Sequence, residues 1–459
     1  MRHPLRRDPH DAEILRLALP ALGALMAEPL YVLADTAVVG HLGTEPLAGL
    51  AVASSILLIG YSLFIFLAYG TTASVARLLG AGEERRAAHE AVQGMWLAVL
   101  VGVALAVAGY VLAEPLVSLV GAGGTVRTEA LTYLRISLLG MPAMLVVLAG
   151  TGYLRGLQNT RTPLLVAVCS AAFNLGLELV LIAGLGFAIG ASALSTVIAQ
   201  WGSAAVYVLW VRRAVRRHAV PLRPDPSSLR RLAVVGRDLF VRTAALRGAF
   251  LLATVVATRI GSPDVAAHQI AFEIWNLLAL ALDALAIAGQ ALTGRFLGAD
   301  EPHLARAAAG RMIELSVLIG VVLGAGIFLA RGPLPEIFTS DPLVLSLTSF
   351  LLVFVAIMQP LNGFVFALDG ILIGAGDLGY LAWAMVVAVM AFAPAAVGVL
   401  LYGGGIGWLW GALMIFMGVR ALTLGLRFAG EGWVVVGPDR SADRLLEPAS
   451  RPGTARHPG

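Results

Sequence analysis

The chain contains no lysine; all 32 basic residues among its 459 are arginines. A Walker A loop needs a lysine on the nucleotide phosphates, so this chain is not by itself an ATP-driven pump of that type. Cysteine is nearly absent. Cys169 stands alone inside an apolar run, which excludes an intrachain disulfide and leaves the redox compartment open. Charge is scarce: Asp, Glu and Arg make up 13% of the residues, where a soluble domain carries about 25%. The other side of that deficit is a hydrophobic fraction of 59%, spread along the whole length, so the solvent is lipid. Residues 1–11 are rich in arginine but lead into a full-length apolar run, and no removable signal peptide is expected. The sequence shows no catalytic triad and no metal-ligand cluster, so it does not read as an enzyme. Gly374-Ala375-Gly376-Asp377-Leu378-Gly379 fits G-x-G-x-x-G, but it follows a membrane helix and not a strand, which argues against a dinucleotide site. No nucleic-acid partner is expected.

What is present is a repeat. Gly40-His41-Leu42-Gly43 is answered by Thr258-Arg259-Ile260-Gly261, and Gly43 and Gly261 stand 218 residues apart. Arg77-Leu78-Leu79-Gly80-Ala81 recurs as Arg295-Phe296-Leu297-Gly298-Ala299 at the same shift, as do Pro115 at Pro333 and Pro142 at Pro360. About 20 apolar residues cross a bilayer as a helix. The hydropathy predicts twelve spans between about residues 14 and 427, among them unbroken ones over 47–76 and 128–152. Arginines crowd alternate loops: 77–90, 212–237 and 295–311. By the positive-inside rule both termini and the central connection are expected in the cytoplasm. The predicted fold class is therefore all-α integral membrane. Twelve transmembrane helices form two parallel six-helix repeats around a central cavity, the usual place for a transport site. The expected division is a cytoplasmic N-terminus over 1–13, a first lobe over 14–218, a linker over 219–232 and a second lobe over 233–430. A disordered cytoplasmic tail is expected over 431–459.

Several strings together resemble one family. Glu28-Pro29-Leu30 with Asp35-Thr36-Ala37-Val38-Val39-Gly40-His41-Leu42-Gly43 is similar to the first helix of the multidrug and toxic compound extrusion (MATE) family. Arg155-Gly156-Leu157-Gln158-Asn159-Thr160-Arg161-Thr162-Pro163 resembles its loop after span four. Phe173-Asn174-Leu175-Gly176-Leu177-Glu178 resembles its Asn-x-x-x-Asp element, with Glu in place of Asp. Leu282-Asp283-Ala284 and Leu368-Asp369-Gly370 look like the DinF-type branch. The resemblance implies a secondary antiporter in the plasma membrane. It would export organic compounds, cationic or amphipathic, in exchange for H+ or Na+ by alternating access, with no cofactor beyond the coupling ion. Two fused halves make a monomer sufficient. An alternative within the same superfamily is a flippase for lipids or lipid-linked oligosaccharides, which would want a basic cavity for pyrophosphate; Arg242 and Arg247 leave that reading open.

Charged groups inside a span cost roughly 2.5–3.5 kcal/mol each on insertion scales and so need a reason. Asp35 shares a helical face with Glu28 seven residues earlier, and Pro29 between them favours a bend. Asn174 and Glu178, four apart, share a face of span five. The resemblance implies that Asp35, Asn174, Glu178 and Thr196 form a proton or cation site in the first half. Their hard oxygens would also suit Na+, but the longer Glu178 side chain favours H+. Candidates for the substrate cavity are Glu28, Tyr31, Glu273, Asp283, Asp369 and Arg247, with Arg247 expected to pair with Asp283 or Glu273 in preference to meeting an anionic substrate group.

Overall fold

The structure is a computed structural model and describes residues 8–438. Fourteen long α-helices run in order: α1 Asp11–Gly40, α2 Thr44–Leu63, α3 Phe66–Gly80, α4 Glu84–Leu119, α5 Gly124–Ser137, α6 Met141–Gly156, α7 Arg161–Leu179 and α8 Gly190–His218 in the first half. The second half holds α9 Pro226–Ile260, α10 Ser262–Gly298, α11 Pro302–Ala330, α12 Pro342–Gly374, α13 Leu378–Leu401 and α14 Ile406–Ala429. They make twelve segments long and apolar enough to cross a membrane, because α2 with α3 and α5 with α6 each form one. The chain is thus an all-α, multi-pass membrane protein of two six-span repeats. Helix ends follow the repeat closely. Thr44 and Gly80 bound the second span and Ser262 and Gly298 the eighth, both ends at the 218-residue shift.

The spans expected as unbroken over 47–76 and 128–152 are each interrupted, at Phe64–Ile65 and at Leu138–Gly140. At the second break Pro142, in the first turn of α6, lacks the N–H that would continue the ladder from α5. The expected linker over 219–232 is shorter than anticipated. Its last residues form the first turns of α9, capped by Asp225, whose carboxylate accepts from the backbone N–H groups of Ser227 and Ser228. Hydrogen bonds from Ser228 and Ser227 hold the Asp225 carboxyl down at about 2.

The two halves meet most tightly at the arginine-rich end. There α3 and α10 cross, with Gly80 lying on the Arg295 carbonyl and Gly298 on the Arg77 carbonyl, where a Cβ would overlap backbone. The flanking arginines reach across the seam. Arg77 Nη1 donates to the Ala375 carbonyl at 3.2 Å, and Arg295 Nη1 donates to Gln158 Oε1 at 2.8 Å. Asp11 takes both ends of the Arg311 guanidinium, at 2.6 and 3.0 Å, and Glu90 pairs with Arg231. Residues 11–13, expected in the cytoplasmic N-terminus ahead of the first lobe, belong to α1 and bind the opposite half through Asp11–Arg311 and Glu13–Arg295; residues 1–7 lie outside the described residues.

The expected tail also needs correction at its start. Trp433 is fully buried, stacked on Phe428 at 5.2 Å. Arg77 Nη2 donates to the carbonyls of Val435 and Gly437 at 2.7 and 2.8 Å, and the Gly437 N–H donates to the Leu297 carbonyl. Residues 431–438 are thus packed over the seam between the halves. The rest of that expected segment, from 439 on, lies outside the described residues.

Candidate functional site

The first site is built at the other end of the bundle. Asp35 lies five residues before the end of α1, about 8 Å along the helix axis. Glu178 is the last residue but one of α7, and a single π turn over Val180–Gly184 follows it. Such turns re-aim the residues beside them. Thr196 stands in the second turn of α8. Three helix ends therefore converge. Ser192 Oγ donates to Asp35 Oδ1 at 2.7 Å, and the Tyr31 hydroxyl reaches Asp35 Oδ1 at 3.3 Å and Thr196 Oγ1 at 3.0 Å. Asn174 Nδ2 donates to Thr196 Oγ1 at 3.1 Å. The Glu178 carboxyl lies beside that of Asp35.

All of this is out of water: Asp35 is 5% exposed, Asn174 5% and Glu178 0%. Both Glu178 oxygens and Asn174 Oδ1 are buried with no hydrogen-bond donor. Orphaned buried groups are rare because each costs about 1–3 kcal/mol. Here every orphan is an acceptor, so the site has room for a hydrogen-bond donor, a proton or a cation beside Glu178 and Asn174.

The structure brings together all four residues expected at this site. It also moves Tyr31 from the expected cavity lining to the space between Asp35 and Thr196. Two members were missed. Ser192 sits one helical turn before Thr196, so the spacing of four could have found it. Tyr133, on α5, faces Asp35 and Glu178 and carries no local signal.

The second half holds a different cluster. Asp369 Oδ2 accepts from Arg242 Nη2 at 2.7 Å and from Arg420. All three are buried, with Arg242 at 8% and Arg420 at 4% exposure. Asp369, offered as a cavity carboxylate, is therefore committed to two arginines. The expected partner of Asp283 or Glu273 was Arg247, but Arg247 is exposed and makes no ion pair among the described residues. Glu273 is exposed and accepts from Gln269 Nε2 at 2.9 Å. Asp283 and Glu28 both keep contact with open space, although Asp283 lies near the middle of α10. Among the described residues no group of three or more His, Cys, Asp or Glu is placed to hold a metal ion.

The sequence pattern of the MatE family matches this chain twice, over residues 20–180 and again over 239–398. The chain belongs to the MatE family. The double match is the 218-residue repeat seen from outside, one copy per half. Among relatives of this MatE protein, Protein DETOXIFICATION 44, chloroplastic, of Arabidopsis thaliana is 33% identical, over 90% of this chain and 81% of its own length. The DNA damage-inducible protein F of Escherichia coli K12 is 30% identical, over 90% of this chain and 91% of its own. A probable multidrug resistance protein NorM of Thermotoga maritima is 26% identical, over 80% of each. A solved MOP superfamily transporter from Pyrococcus furiosus superposes with a TM-score of 0.82 at 22% identity, covering 93% of this chain and 97% of that one. That likeness concerns the fold. As a MatE protein the chain is a membrane transporter and not an enzyme.

Proposed function

We propose that this MatE protein is a proton-coupled antiporter that exports organic compounds, cationic or amphipathic, across the plasma membrane. The observation that carries the reading is the Asp35–Glu178 pair, two neighbouring carboxyls buried with acceptor oxygens left over. Two anions side by side in low dielectric repel strongly, and one proton between them relieves both the repulsion and the missing donor. Entry of a cationic substrate would make that proton easier to release, and loss of the substrate would make it easier to take up.

The rest of the molecule supplies the alternation. The arginine-rich end is cytoplasmic by the positive-inside rule, with both termini on that side. The crossing of α3 and α10, with its flanking arginine ties, would then hold the two halves together on the cytoplasmic side. Export requires the opposite state as well, in which these ties part. Coupling by H+ and not Na+ rests on Glu178, whose longer side chain brings its carboxyl against Asp35 and suits a shared proton. The flippase reading wanted free basic groups for pyrophosphate, and the pairing of Arg242 with Asp369 takes one of them away.

The test is transport by the purified protein in liposomes, with ethidium as the fluorescent cation. A pH gradient alone should drive ethidium movement and a Na+ gradient alone should not. Movement under Na+ alone would overturn the choice of ion, and movement under neither would overturn antiport.

A further inference from the structure

Neither charge cluster uses the segment that follows α14, yet that segment is bound at both of its ends. Gly430 turns the chain out of α14 into extended backbone. The anchor is Trp433. It is fully buried, its Nε1–H donates to the Phe428 carbonyl at 3.0 Å, and Arg306 of α11 lies over its ring at 5.8 Å. Arg427 Nη2 donates to the Gly432 carbonyl at 3.1 Å, and Arg306 reaches Glu431 at 3.6 Å. Each of these contacts lies within the second half, so the segment travels with that half.

The far end of the segment reaches the first half. Gly437 has φ +97°, in the left-handed region, with open space where a Cβ would be, so backbone conformation and not crowding calls for glycine there. That turn aims both of its polar groups at the seam. The N–H donates to the Leu297 carbonyl of α10 at 2.9 Å. The Gly437 and Val435 carbonyls accept from Arg77 Nη2 of α3 at 2.8 and 2.7 Å. Leu297 precedes Gly298, which rests on the Arg77 carbonyl, so the segment is fastened over the crossing of α3 and α10 itself. Arg77 is only 3% exposed.

The repeat shows which part of this fastening is particular to one side. Arg295, 218 residues after Arg77, also crosses between the halves, to Gln158 Oε1 and to Glu13 Oε1, both at 2.8 Å. Gln158 follows α6 and Ala375, the acceptor of Arg77 Nη1, follows α12, so these two ties are equivalent. The other partners differ. Arg295 has a carboxylate from the start of α1, and Arg77 has two carbonyls from the segment after α14. The position 218 residues after Glu13 is Arg231, so that carboxylate is not repeated there.

We propose that residues 431–437 are a latch, carried by the second half and fastened on Arg77, whose release governs how often the two halves part at this end. The proposal rests on the alternation described above and names what holds one of its states. Parting the seam must withdraw Arg77 from both carbonyls, because Trp433 keeps the segment on the second half. A charge-assisted hydrogen bond lost in this way shifts an equilibrium about tenfold.

The experiment measures the distance between the halves by pulsed electron resonance in detergent. Nitroxides are attached through Arg85→Cys and His303→Cys in a Cys169→Ser background. Both positions are exposed, and each lies five residues beyond one of the crossing glycines, Gly80 and Gly298. With the natural C-terminus the shorter distance should dominate. Ending the chain at Gly430 should raise the ratio of longer to shorter distances about tenfold, as one such bond allows. Gly437→Ala, which strains the turn without crowding it, should raise the ratio by less. Ending the chain at Pro438, which keeps the latch, should leave the ratio unchanged.

An unchanged ratio in the chain ending at Gly430 would overturn the latch, and a shorter thermal half-life beside it would mark the segment as packing alone. An equal rise in the chain ending at Pro438 would overturn it too, by placing the hold beyond these residues. If ethidium or a change of pH moves the distances equally with and without the segment, the latch falls and alternation stands. A single distance in every variant and condition would overturn both.

Discussion

Replacing Asp35 with Asn is expected to leave a folded transporter that accumulates nothing against a gradient. Asn keeps a carbonyl oxygen to accept from Ser192 and Tyr31, so the convergence of α1, α7 and α8 survives. What it removes is the exchangeable proton. One pH unit is worth about 1.4 kcal/mol per proton, or tenfold in the substrate ratio at steady state. A wild-type protein exchanging one proton per cation should therefore reach a ratio of about ten per pH unit. Asp35→Asn should settle at one, whatever gradient is imposed. Glu178→Gln should behave alike, because its amide would donate to Asp35 and imitate a proton that never leaves. Steady-state accumulation in liposomes measures this directly, and a variant that still concentrates substrate would remove Asp35 from the coupling step.

The second large effect concerns stability. Asp369 is the one carboxylate that pairs with two buried arginines, Arg242 and Arg420. Removing one partner of a buried ion pair costs about 3–5 kcal/mol, because the remaining charge stays out of water. Asp369→Asn strands two, so a sharply shorter thermal half-life in detergent is expected. Half-life is the right observable, since large membrane proteins seldom unfold reversibly. Arg420→Gln in that background should recover part of the loss, as coupled neighbours do. A half-life unchanged by Asp369→Asn would mean that water or lipid headgroups already satisfy the arginines.

Much of the architecture was legible before the coordinates. Hydrophobic length fixed the number of spans, and the arginine and proline landmarks fixed a repeat that the helix ends of α2–α3 and α10 reproduce. The breaks were not legible to the same degree. Pro142 signals one, but Phe64–Ile65 contains neither proline nor glycine, and the contact Phe64 makes there, with Phe240 of α9 at 6.0 Å, is one no local pattern encodes. At the coupling site, Asn174 and Glu178 were readable because helical spacing is local. Ser192 was readable in the same way and overlooked. The pairing of Arg420 with Asp369, 51 residues apart, depends on how α12 and α14 pack, which no local pattern encodes. The segment after Gly430 was misread because its polar composition drew more weight than Trp433-Val434-Val435-Val436, an apolar run with a surface to cover.

The central claim is that the Asp35–Glu178 pair holds a proton which substrate displaces. It is tested most directly by adding ethidium to purified transporter in weakly buffered detergent solution and following pH with an indicator dye. Wild type should release protons in step with binding, up to one per site, and Asp35→Asn should bind without release. Equal proton release from both proteins, or binding by wild type with none, would contradict the claim.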